Sequence, residues 1–206
     1  MSVNNTSLIL ENKNLSTFEI TENFTCIRFL NQNKERFELE FNLEKGTSFN
    51  TFLIISGDEL FIIHPPEKEY SKLINEVISN FFLQFKFKRI NIITGHVNPK
   101  IIETIKSISL KFSNLAITCS NPGSKLISEL WNQKNPKLET FIEQELPKIN
   151  IVKKELNLEL ENISLKLLPV ATARWPGGLI VYEENQEILL SEKIFSAHLV
   201  SEEWSE

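Results

Sequence analysis

Two stretches of this sequence are built alike, and they restrict the fold more than any other feature of the chain. Ile90 to Thr94 is a short apolar run, and Asn98-Pro99 then opens a segment with Ile101, Ile105, Ile108 and Phe112 at helical spacing. Leu115 to Cys119 is a second apolar run, and Asn121-Pro122 opens a segment carrying Leu126, Ile127 and Leu130. Asn accepts a hydrogen bond from a free amide of a helix's first turn, and Pro at the first helical position has no amide to leave unpaired. Each stretch is therefore a strand followed by a capped helix. Two such units in succession require neighbouring parallel strands with right-handed crossovers.

The flanks are mostly strands. Before the pair, Phe24 to Leu30, Arg36 to Phe41, Thr51 to Ser56 and Leu60 to His64 have strand composition, with Gly57-Asp58 as a hairpin turn. Glu67 to Phe82 reads as an amphipathic helix, because Tyr70, Leu73, Ile74, Val77, Ile78 and Phe81 recur every three or four residues. Gln133 to Pro147 is a charged surface connection. Strands return at Ile149 to Lys153, Asn157 to Leu160, Ser164 to Pro169, Leu179 to Tyr182 and Ile188 to Ser191. This order predicts an α/β fold, a sandwich of two sheets with helices outside and the first sheet mixed. Residues 1–23 are expected to be a polar leader and residues 24–206 one domain.

Composition excludes several classes. At 41% apolar and 24% charged residues, a chain of 206 residues fills a core and is neither disordered nor a coiled coil. Twenty-two basic residues against 27 acidic ones leave a net charge of −5, which repels a nucleic-acid backbone. Lys86, Lys88 and Arg89 alternate with Phe85 and Phe87, the pattern of an outward face. No secretory signal opens the chain, and no apolar run approaches the roughly 20 residues of a membrane span. Cys26 and Cys119 lie far apart without a CxxC spacing. A soluble, cytoplasmic protein is expected.

Sites in α/β proteins gather at the carboxyl ends of parallel strands, here residues 95–100 and 120–123. His96 lies in the first. The sequence has three histidines, His64, His96 and His198, and none has a ligand partner at short spacing. There is no GxSxG, and Asn121-Pro122-Gly123-Ser124 reads as a helix start rather than a phosphate loop. The residues by themselves mark a site position without site residues, and they leave the role of His64 open.

Further segments carry a resemblance. Cys119-Ser120-Asn121-Pro122-Gly123 follows a strand, Arg174-Trp175-Pro176-Gly177-Gly178-Leu179 precedes one, and the run from Ile188 to His198 reads ILLSEKIFSAH. With Arg36 to Phe41 and Gly46 to Thr51, they resemble the metallo-β-lactamase-like domain of flavodiiron proteins, above all the diflavin type of oxygenic phototrophs. The resemblance runs from about Phe24 onward. It implies an αββα sandwich, incomplete at its C-terminal end and truncated before the flavodoxin-like FMN domain and the flavin reductase domain.

In that family a di-iron centre is held by His-x-Glu-x-Asp-His, a His before Trp-Pro, an Asp before a Phe, and a final His. The first motif falls on His96-Val97-Asn98-Pro99-Lys100-Ile101, the next His on Arg174 and the Asp on Lys193. The resemblance thus implies that His96 is kept while Asn98, Lys100, Ile101, Arg174 and Lys193 replace ligands. No catalytic, cofactor-binding or metal-holding residue is expected, and neither iron nor FMN. If the backbone is kept, Lys100, Arg174 and Lys193 converge into a candidate anion site. A cation 4 Å from one metal charge costs roughly 4 kcal/mol at an effective dielectric of 20, which opposes a di-iron centre there.

The expected function is that of a noncatalytic flavodiiron-type domain. The family passes NAD(P)H-derived electrons to oxygen and makes water, and this chain would act by pairing, as a homo- or hetero-oligomer with a flavodiiron-type subunit. The alternatives are an oxidoreductase domain with an altered, cation-lined, metal-free site, or an inactive gene remnant.

Overall fold

Near-continuous apolar runs form the first sheet, because strands covered on both faces have no solvent side for polar residues. The computed structural model describes residues 14–31, 47–133, 144–170, 172, 175 and 177–194. Seven strands lie side by side in chain order: β1 (Leu15–Thr21), β2 (Phe24–Asn31), β3 (Thr47–Ser56), β4 (Glu59–Ile63), β5 (Arg89–Ile93), β6 (Leu115–Ser120) and β7 (Lys148–Val152). From β1 to β4 the pairing is antiparallel. From β4 to β7 it is parallel, so the mixed sheet expected from the two strand-helix units forms.

Three helices make the crossovers: α1 (Ser71–Gln84), α2 (Pro99–Lys111) and α3 (Asn121–Asn132). Their apolar stripes, among them Ile74, Phe81, Ile105, Ile108, Ile127 and Trp131, close over Ile27, Phe29, Leu60, Ile62, Ile92 and Ile117 of the sheet. Each such fully buried side chain is worth roughly 1.5–3 kcal/mol.

The second sheet is antiparallel, in the order β11 (Ile188–Leu190), β10 (Leu179–Glu183), β9 (Ser164–Pro169) and β8 (Leu156–Glu159). Leu165, Leu167, Leu179, Val181 and Leu190 point from it into a second core, against Phe24, Cys26, Ile54, Phe61, Ile63 and Ile93. Helices, first sheet and second sheet are thus stacked layers, as the sequence pattern predicts. Among the described residues no helix is long and apolar enough to cross a membrane.

Several local expectations change. Leu15–Thr21, inside the stretch read as a polar leader, is β1; Leu15 is buried in the helix-side core, and Phe18 and Ile20 pack against the inter-sheet core. The segment read as one helix from Glu67 begins with a separate 3-10 turn, Lys68–Tyr70, because Tyr70 leaves helical geometry at φ −105 and ψ 4. The cap of α3 is Ser120 rather than Asn121: its Oγ accepts the Gly123 amide at 3.2 Å. Asn98 caps α2 as expected. The strand expected at Arg36 to Phe41, and His198, lie outside the described residues.

Both cysteines are buried in these cores. Burial pushes the Cys26 thiol up to about 12, with nearby Arg28 pulling the other way, and burial pushes Cys119 to about 12 as well. Since the thiolate is the reactive form, a disulfide reagent at pH 8 should leave both thiols unmodified in the folded chain. It should titrate both in urea, read as thiol release per chain.

Candidate functional site

The parallel strands β4, β5 and β6 all end on one edge of the first sheet, and the segments that follow them share it. His64 follows β4, Thr94, Gly95 and His96 follow β5, and Ser120 ends β6 as the cap of α3. The second sheet brings β10's first residue and the segment after β11 to the same edge. The Leu179 amide donates to the Gly95 carbonyl at 3.2 Å. A small cleft is lined there by Gly95, Trp175, Leu179, Ser191, Glu192 and Lys193.

Gly95 is where the two sheets meet backbone to backbone. A Cβ on Gly95 would stand 2.1 Å from the Leu179 carbonyl oxygen and 2.8 Å from His64 Cε1, so only glycine fits. His64 is 3% exposed and has φ +56, a left-handed geometry that costs a non-glycine residue roughly 1–2 kcal/mol. Four hydrogen bonds hold it. Its amide donates to the Ile93 carbonyl at 2.8 Å, and its carbonyl accepts from Thr51 Oγ1 at 2.8 Å. Its Nδ1 accepts from the Gly95 amide at 3.3 Å, and its Nε2 reaches the Leu190 carbonyl at 3.2 Å. His64 thus links β3, the loop after β5 and the end of β11, a role that sequence spacing does not reveal.

The loop between β9 and β10 is tied down by α3. Ser120 Oγ donates to the Gly177 carbonyl at 2.9 Å, and a Cβ on Gly177 would stand 3.2 Å from the Gly123 Cα. Within the loop, the Trp175 carbonyl accepts the Thr172 amide at 3.2 Å and the Gly178 amide at 3.0 Å.

The residues matched to family ligands take varied positions. The carbonyl of His96 accepts Thr94 Oγ1 at 2.6 Å, which fixes the loop after β5. Asn98 uses both ends of its amide: Oδ1 accepts the Ile101 amide at 2.8 Å, and Nδ2 donates to Glu67 Oε1 at 3.1 Å. Ile101 is 1% exposed in the helix-side core. Lys100 Nζ lies 3.2 Å from Glu67 Oε2 and 2.8 Å from Glu69 Oε1. The Glu69 bond in particular holds its pKa above the ordinary value. Lys193 is buried at the cleft, with Nζ 5.8 Å from the centre of the Phe49 ring, within reach of a cation–π attraction. Arg174 lies outside the described residues.

Comparison with known proteins agrees with this architecture. The model of the ODP family beta lactamase matches residues 47–206. A Nostoc sp. protein named as a diflavin flavoprotein A 5 is 29% identical over 196 residues, 93% of this chain and 31% of that protein. The solved fragment 1–254 of the Nostoc protein superposes with a TM-score of 0.74 at 27% identity, covering 93% of this chain and 71% of the fragment. A metal-soaked flavodiiron core from Synechocystis sp. gives a TM-score of 0.73 at 25% identity, over 91% of this chain and 44% of that one. The chain spans about a third of the length of the curated relatives it matches.

The crowding at Gly95 sets a test of the edge. Gly95→Ala should lower stability by about 3 kcal/mol, since relief must come from backbone or from His64. Gly123→Ala meets the Ser120 side chain first, at 3.1 Å, and should cost about 1 kcal/mol. Urea unfolding of the two variants measures both, and equal losses would count against a special role for Gly95.

Proposed function

Since the chain belongs to the ODP beta-lactamase family and its homologues are flavodiiron proteins, we propose that it is a noncatalytic flavodiiron-type domain that acts by pairing with a flavodiiron-type subunit. The observation that carries this reading is the use made of Asn98 and Ile101. A metal centre needs several nitrogen and oxygen donors turned to one point. Here the Asn98 amide is engaged at both ends in holding the start of α2, and Ile101 has no donor atom and sits in the core. Lys100 and Lys193 bring positive charge instead of ligands. Among the described residues no three His, Cys, Asp or Glu side chains are grouped so as to hold an ion. This donor set does not fit a di-iron centre.

Electron transfer from NAD(P)H through FMN to oxygen, the activity of the family, would then belong to the partner subunit. Elemental analysis of the purified chain should find far less than one iron or zinc per molecule, and its visible spectrum should lack flavin bands. Mixed with a flavodiiron protein carrying its own iron and flavin, the chain should co-elute with it in size-exclusion chromatography. One tightly held metal per chain, or a yellow protein, would overturn the noncatalytic reading; separate elution would remove the pairing.

The same reading makes the cleft at Lys193 a candidate anion site. Lys193 lines that cleft, whereas Lys100 pairs with Glu67 and Glu69. Chloride or acetate added at constant ionic strength should raise Tm. Lys193→Ala should abolish that rise and Lys100→Ala should leave it; an undiminished rise in Lys193→Ala would refute the site.

A further inference from the structure

His64 is a buried titratable group that plays no part in the argument about ligand positions. Its two ring contacts differ in kind. The Gly95 partner is an N–H, so Nδ1 must accept; the Leu190 partner is a carbonyl oxygen, so Nε2 must carry the hydrogen. The surroundings therefore fix a neutral imidazole with its proton on Nε2. A second proton on Nδ1 would point at the Gly95 amide hydrogen and remove the acceptor that this amide uses.

We infer that His64 is an acid-released clasp: as a neutral ring it joins the loop after β5 to the end of β11, and protonation of Nδ1 undoes the join. What opens is the edge where Gly95, after β5, shares the cleft with Ser191 to Ile194, after β11. The inference is independent of whether the chain holds metal or pairs with a partner.

The groups facing the ring from each packed element are few. β3 presents the neutral hydroxyl of Thr51 to the His64 carbonyl, and the loop after β5 presents the Gly95 amide and, next to it, His96. The end of β11 presents the Leu190 carbonyl, with Glu192 and Lys193 following in the chain. Burial holds the ring's pKa down to about 4, the Leu190 carbonyl pulls it back up, and the charge of His96 adds to the lowering.

The direction of the pH effect follows from that depression. An unfolded histidine titrates near about 6.5, so above that pH neither state binds the proton and the clasp is intact. Between roughly 6.5 and 4 the unfolded chain takes a proton that the folded chain refuses, and the unfolding constant rises about tenfold per pH unit from this group. Below about 4 the folded ring is protonated as well, and the clasp opens within the folded state.

The test uses the full chain and His64→Asn, since Asn tolerates positive φ and its side-chain oxygen can accept the Gly95 amide without titrating. Urea unfolding constants are measured for both from pH 7.5 to 4.5. The ratio of the unfolding constant of the unmodified chain to that of the variant should climb about 40-fold between pH 6.5 and 4.5. A ratio that stays within about threefold over that interval overturns the inference. Nitrogen-15 resonances of the His64 ring in the unmodified chain decide the matter even if the variant does not fold. Nδ1 should be bare and Nε2 protonated down to about pH 5; a ring that titrates near 6.5, or carries its proton on Nδ1, overturns the clasp.

Discussion

The absence of room for one carbon atom at Gly95 governs this fold. The Leu179 amide can reach the Gly95 carbonyl only because no side chain stands between the two backbones. That contact fixes where β10 starts relative to β5, and with it the placing of the inter-sheet core of Leu165, Leu167, Leu179 and Val181. Side-chain packing between sheets tolerates small slips. A backbone contact without clearance does not, so the edge that collects the loops is set by main-chain geometry.

Beside that junction, the residues at the ligand-matched positions of α2 are used for folding. Glu67 accepts from Asn98 and pairs with Lys100, and Lys100 also reaches Glu69. These contacts fasten the segment between β4 and α1 to the first turn of α2. Lys68 adds a pair with Glu103 one turn further on, at 3.4 Å. Each pair is partly exposed and modest by itself, but they act together with the helix cap on one turn. Carboxylates at 67 and 69 beside a lysine at 100 leave that lysine inside a net negative patch rather than as an isolated cation.

Much of the layering is legible in the sequence because its signals are local. Asn98-Pro99 announces a helix within two residues, and the apolar seam from Ile101 to Ile108 needs nothing outside the helix to be read. β1 was hidden because Phe18 and Ile20 alternate for too few residues in a polar stretch; their meaning comes from pairing with β2. The α3 cap shifted by one residue because Ser120 and Asn121 are both good caps, and Pro122 fits either of the first two helical positions. The clasp at His64 could not be read at all, since its ring partners lie 31 and 126 residues away. Sequence resemblance matches Lys100 to a family ligand position but does not show it as an ion-paired residue, because Glu67 and Glu69 approach it only through the parallel crossover.

The double engagement of Asn98 has a consequence for substitution at that position. A glutamate at 98 would remove the cap on Ile101 and set a negative charge against Glu67, and a ligand at 101 would put a polar group in the helix-side core. A single substitution of that kind lowers stability without making a metal site, since several donors must be present together before an ion is held.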